Sequence, residues 1–140
     1  MSEKAAGGLS PETVGRILAF RDERDWHPFH NPKDLAISIS LEAAELLELF
    51  QWSGADLEAV KKRGELAEEL ADVLIYAVLL ADRTGLGLDD IVRAKLEKNA
   101  RRYPADLSRG SSAKYTELKA TGRCAAADAG DGPSEVITGA

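Results

Sequence analysis

Residues 41–52 read LEAAELLELFQW. Leu, Ala, Glu and Gln are strong helix formers, and no alternation of period two runs through the stretch, so it reads as helix and not strand. Its Leu, Ala and Phe content is too continuous for a helix washed by solvent on most sides. Yet Glu42, Glu45 and Glu48 recur through it at steps of three. Removing a carboxylate from water costs on the order of several kcal/mol unless something pairs with it. At about 100° per residue, Glu42, Glu45, Leu49 and Trp52 fall on one helix face, with Glu48 further round. A buried-looking helix with acids on one face calls for both a helical core around it and a counter-charge for the acids.

The flanking sequence supplies that core as more helix. Ser10-Pro11-Glu12 pairs an N-cap serine with proline at the first helical position, and the spacing predicts a helix from there to about Arg24. DWHPFHNP follows, with two prolines and an Asn, and reads as a structured loop. Asn31 or Asp34 then opens the second helix, expected to reach about Trp52 and to stop near Ser53-Gly54. GADLEAVKKRG is a connector with room for a single turn. A third helix is predicted from about Glu65 to Arg83, ending at Thr84-Gly85. A fourth runs from about Leu88, with Asp89 and Asp90 placed favourably against the helix dipole, to Tyr103-Pro104. The fold class is therefore all-α, a bundle of about four main helices. Residues 9–119 are expected to form one domain, with disordered ends at 1–8 and 120–140.

Composition narrows the function. The chain has 140 residues, 44% hydrophobic and 30% charged, and a net charge of −6. That is a globular balance, and the negative charge speaks against nucleic acid or an acidic membrane as main partner. The single cysteine, Cys124, excludes an intrachain disulfide and reads as an exposed thiol in a Gly/Ala-rich tail. The N-terminus MSEKAAGG has no apolar leader core, and the longest apolar run, Val73 to Ala81, is too short to span a bilayer. A cytoplasmic location is expected.

The third helix repeats the acidic pattern. In EELADVLIYAVLL, Glu69, Asp72 and Tyr76 share a face of a helix whose apolar run marks it as central. Two helices thus each offer a carboxylate pair at i, i+3. Like charges about 4 Å apart cost on the order of 4 kcal/mol at an effective dielectric of 20. A hard divalent cation removes that penalty, and oxygen-only ligands without His or Cys point to Mg²⁺, with Mn²⁺ as the alternative. The plainer reading is a pair of solvated stripes neutralised by Lys61, Lys62 or Arg63. On the fourth helix Lys95, Asn99 and Arg102 form an i, i+4, i+7 stripe suited to phosphate oxygens, although a basic last turn also complements the helix dipole. Trp26, Phe29, Trp52 and Tyr76 are candidates to stack on a base, or to fill the core.

These residues resemble a known family. The pair Glu42-x-x-Glu45 and Glu69-x-x-Asp72 is similar to that of the all-α nucleoside triphosphate pyrophosphohydrolases, the MazG-like superfamily. The ordered segments ERDW, FHNP, ELFQW, EELADVLIY, KNARRYP and SSAKYTEL resemble its dCTP pyrophosphatase branch over roughly Leu9 to Leu118. The resemblance implies hydrolysis of a dNTP to dNMP and pyrophosphate with Mg²⁺, in a homotetramer built as a dimer of dimers. It makes Glu42, Glu45, Glu69 and Asp72 the metal ligands. It places Trp26 to His30, Trp52 and Tyr76 around the nucleotide, with Lys95 and Asn99 near the phosphates. Two positions depart from the pattern. Leu41 stands where the superfamily often has a first Glu of a doublet, and Ile17 stands where the branch has a nucleotide-contacting histidine.

The expected chemistry is metal-assisted attack by water, with Glu45 as general base or Glu48 supporting it. His30 is expected to contact base or sugar, not metal. If the second and third helices are antiparallel, Trp52 and Tyr76 lie on opposite sides of the acids, so one pocket receives both only with a neighbouring subunit. Two other functions fit the same residues: a broader (d)NTP or dUTP pyrophosphatase, and a non-catalytic bundle holding a structural cation.

Overall fold

In a computed structural model of the chain, residues 8–110 and 117 are described. They are helical, with no strand among them. The chain divides into two compact units, one ending at Leu88 and the other beginning at Asp89. Cys124, the segment SSAKYTEL apart from Glu117, and the ends expected to be disordered apart from Gly8 lie outside the described residues.

In the first unit the helices begin where their capping residues put them. Helix α1 spans Pro11–Asp22, and its N-cap Ser10 accepts a bond from the Thr13 amide at 3.1 Å. Helix α2 spans Pro32–Glu48 behind Asn31, whose side chain accepts from the Asp34 amide at 3.0 Å. Each cap satisfies an amide that has no partner inside its helix. Helix α3, Arg63–Thr84, stops at Gly85, which takes the left-handed conformation (φ 68°). Two 3₁₀ turns, His27–Phe29 and Val60–Lys62, sit in the connections.

Helix α2 ends a full turn before the expected Trp52. The amides of Phe50 and Gln51 turn back to the carbonyls of Leu47 and Glu48, tightening the chain into i→i+3 turns. Trp52 is therefore not on the α2 face with Glu42 and Glu45. It stands in a turn with φ 63° and is 92% exposed.

Helix α3 is the centre of the unit, with α2 packed along it and α1 against it. The buried apolar residues are Leu35 and Leu49, Ala59 in the connector, and Val78, Leu79 and Ala81 of α3. Leu35 is 1% exposed, a burial worth about 1.5–3 kcal/mol. Arg21 joins them at 6% exposure. Its Nε donates to Asp22 at 2.7 Å and its Nη1 to Asp82 at 2.6 Å, which ties α1 to the end of α3.

The second unit carries α4, Leu88–Arg102, and the short α5, Ala105–Ser108. Within α4, Arg93 donates to Asp89 at 2.6 Å, an i, i+4 ion pair.

Candidate active site

Carboxylates from α2 and α3 converge as their spacing predicts. Oxygens of Glu42, Glu69 and Asp72 all lie within 4.8 Å of one another. Burial raises the Glu42 pKa above its ordinary value, and Glu45, Asp72 and Glu69 raise it further. Burial likewise raises that of Glu69, joined by Glu45, Asp72, Glu68 and Glu65. Glu69 and Asp72 meet Glu42 midway along α2, while Tyr76, further along α3, meets His30 just before α2 begins, so the two helices run antiparallel. Glu45 stands beside the group of three but outside it, on the exposed side.

Every charge that shifts Glu42 or Glu69 is another carboxylate. Neither Lys61, Lys62 nor Arg63 forms an ion pair with these acids, so the solvated-stripe reading finds no counter-charge among the described residues. Three hard oxygen donors at this spacing suit a divalent cation of the Mg²⁺ class and offer nothing that favours zinc.

Beside this cluster lies a cleft of about 420 Å³ between α1, α3 and the loop before α2. Phe20, Trp26, His30 and Tyr76 line it as a connected row of rings, and Ile17, Ile75 and Leu79 add apolar surface. Phe20 meets Trp26 edge-on at 6.0 Å between centroids, Trp26 lies 6.2 Å from His30, and His30 lies 6.4 Å from Tyr76. The Arg24 guanidinium caps the far face of this row, 3.5 Å from the Phe20 centroid. His30 Nδ1 is buried with no hydrogen-bond partner among the described residues. Burial keeps this imidazole below the usual histidine pKa, helped by Arg21 and His27, which favours the neutral ring. Thr13, Arg16, Arg21 and Asp72 complete the cleft, and Asp72 also belongs to the acidic group.

The structure thus joins Trp26, His30, Tyr76 and Asp72 in one cleft, next to Glu42 and Glu69. Trp52 is not part of that wall, and Phe29, 70% exposed, is not either. His27 points elsewhere, 3.3 Å from Arg83. Lys95, Asn99 and Arg102 belong to α4 in the second unit. The wall residues Thr13, Arg16, Phe20 and Arg21 escaped the sequence reading. Their signal was present: Thr13, Ile17 and Phe20 follow i, i+4, i+7 on α1, and Arg21 occupies a position of its apolar row.

Comparison with known proteins places this geometry in context. The profile of the MazG-like family matches residues 37–118. The human dCTP pyrophosphatase 1 is 47% identical, with the match covering 76% of this chain and 66% of the relative. The bovine dCTP pyrophosphatase 1 is 45% identical, covering 76% and 67% respectively. The chain thus spans about two thirds of the length of these curated relatives. A pyrophosphatase from Archaeoglobus fulgidus, known from its crystal structure, superposes with a TM-score of 0.64 at 43% identity. That match covers 72% of this chain and 99% of the other.

Proposed function

The chain belongs to the MazG-like family, and from that premise we propose that it is a nucleoside triphosphate pyrophosphohydrolase. Its substrate is dCTP, including 5-modified forms such as 5-methyl-dCTP, cleaved to dCMP and pyrophosphate with Mg²⁺ in the cytoplasm. One observation carries this reading: Asp72 lies at once in the acidic cluster and in the wall of the aromatic cleft. A base held among rings therefore leaves its phosphates beside the carboxylates. The names of the curated relatives supply the nucleotide.

Glu42, Glu69 and Asp72 are assigned to hold the cation, with Glu45 at its edge. A divalent ion held by these residues would supply charge neutralisation for the triphosphate as water attacks. Glu45, outside the group of three, is assigned to take the water's proton, with Glu48 supporting it. Trp26 and Tyr76 flank the base, and the unpartnered Nδ1 of His30 meets a polar atom of base or sugar. Lys95, Asn99 and Arg102 are assigned to the phosphates on their chemistry alone. Residues 9–119 are taken as the catalytic domain, an extent the family match supports at its C-terminal side.

The active form is proposed to be a homo-oligomer, a dimer of dimers. Ile37, Leu41 and Leu47 on α2 and Leu70 and Leu74 on α3 are exposed, apolar surface that a second copy would cover. Trp52, outside the cleft of its own chain, is assigned to the site of a neighbouring copy.

The test is pyrophosphate release from the eight common deoxy- and ribonucleoside triphosphates and 5-methyl-dCTP, with Mg²⁺ and with EDTA. Mg²⁺-dependent release that is fastest with the cytosine deoxynucleotides is the expected outcome. Equal release across bases would favour the second reading, a broad pyrophosphohydrolase, which Ile17 in the cleft wall supports by offering the base no hydrogen bond. No release from any of them would leave a metal-holding bundle without turnover.

A further inference from the structure

The cleft wall carries both rings and polar side chains, and the reading above gives no task to one of the polar residues. Arg16 lies on the wall with Thr13, Ile17 and Asp72. Its side chain is exposed, and it makes no hydrogen bond or ion pair with any described residue. The neighbouring arginines are all engaged. Arg21 bridges Asp22 and Asp82, and Arg24 bonds the Phe20 carbonyl and lies beside Glu23.

Its height in the cleft follows from helix geometry. The Arg21–Asp82 bond pins the end of α1 to the end of α3, yet Thr13 and Asp72, each well before those ends, share the cleft. The two helices therefore run in the same direction. At a rise of about 1.5 Å per residue, Arg16 starts roughly 7.5 Å from Arg21 toward the N-terminal end of α1, level with Tyr76 on α3 and about one turn short of Asp72. Helical side chains lean toward the N-terminus, which here is the Asp72 end. Phe20 and Trp26 lie on the opposite side, toward the C-terminal end of α1. A planar guanidinium with no partner among the described residues, on the wall that also holds Asp72, suits an anion with two oxygens to offer, as a phosphate does.

The geometry points to Arg16 as a substrate-phosphate residue: its guanidinium holds a phosphate of the nucleotide on the Asp72 side of the cleft while the base lies among the rings. This rests on the nucleotide reading above and adds a contact from α1 that sets triphosphate affinity apart from base affinity.

Binding of non-hydrolysable α,β-imido-dCTP and of deoxycytidine to the full chain with Mg²⁺ tests it. The proteins compared are the unaltered one, Arg16→Gln and Arg16→Lys, each also followed by thermal melting. Losing a charge-assisted hydrogen bond should weaken the triphosphate analogue about ten- to hundredfold in Arg16→Gln, and less in Arg16→Lys. Deoxycytidine binding and the melting temperature should stay unchanged in both. Unaltered analogue binding in Arg16→Gln overturns the assignment. So does an equal loss for nucleoside and triphosphate, which would make Arg16 a base contact or a cleft-shaping residue. If the unaltered protein binds neither ligand, the nucleotide reading falls and this role with it. If it binds both, only the role of Arg16 is at stake.

Discussion

Glu42 is held partly out of water with other carboxylates for company, and that has a consequence for stability in the absence of a divalent ion. Burial first, and then Glu45, Asp72 and Glu69, raise its pKa above the ordinary 4.5, and Glu69 is raised in the same way. A raised folded-state pKa means that the native chain holds more protons than the unfolded one as these groups titrate. Stability from this cluster is therefore fully present below about pH 4.5 and is lost as pH climbs through the raised folded values. Asp22 and Asp56 act in the opposite sense: their pKa values are lowered, Asp22 by Arg21 and Asp56 by the Val60 amide, so their contribution is lost as pH falls below the ordinary 3.8. The two windows separate the effects. In EDTA the cluster should lower the melting temperature as pH climbs above 4.5. This is read as the difference from Glu42→Gln, because His30, whose pKa is lowered, acts in the opposite sense below 6.5 in both proteins. Glu42→Gln should flatten that fall. Saturating Mg²⁺ should flatten it too, because the ion supplies the missing counter-charge. A difference between the metal-free protein and Glu42→Gln that does not widen as pH climbs would contradict the cluster. These acids were legible because i, i+3 spacing sets two carboxylates on one helix face, whatever the rest of the fold. Arg21 was not, since its decisive partner, Asp82, lies 61 residues away along the chain.

Helix ends show what local chemistry fixes and what it leaves open. Ser10, Asn31 and Gly85 mark three of them, each by a single residue that satisfies or releases backbone groups. The end of α2 carries no such mark. Leu49 and Phe50 favour helix as well as any neighbour, and only the placement of buried Leu49 and the turns after it decide the stop. The glycines allow a direct test, because an added Cβ meets nothing within 4 Å at either Gly15 or Gly85. Gly15 lies inside α1 with no positive φ, so Gly15→Ala should stabilise the protein by about 0.5–1 kcal/mol. Gly85 has φ 68°, so Gly85→Ala should destabilise it by about 1 kcal/mol. Urea denaturation of the two variants reads both signs. A stabilising Gly85→Ala would mean that the left-handed stop of α3 is not what holds this end.

Assembly is where one chain leaves most unexplained. Trp52 combines a left-handed backbone, which costs a bulky residue about 1–2 kcal/mol, with an indole 92% in solvent. Neither fact helps an isolated chain. Both make sense if the turn presents the indole to another copy. Antiparallel α2 and α3 put Tyr76 toward the start of α2 and Trp52 beyond its end, so the acids separate the two rings within one chain. The sequence showed the residues of such a composite site but not the need for one, because the exposure of Trp52 follows from where α2 stops. Complementation between variants decides the matter. Trp52→Ala should weaken nucleotide use while leaving the acids intact, and Glu69→Gln should abolish turnover in a folded protein. Mixing the two after dissociation and reassembly should then restore activity above the sum of the parts. In an isologous pair each mixed dimer carries one site with both native residues, so roughly a quarter of all sites recover on random pairing. Sedimentation of the mixture must show dimers or larger species for the result to count. No gain over the separate variants, with assembly intact, would place every residue of the site within one chain and leave the strained Trp52 turn to serve the interface alone.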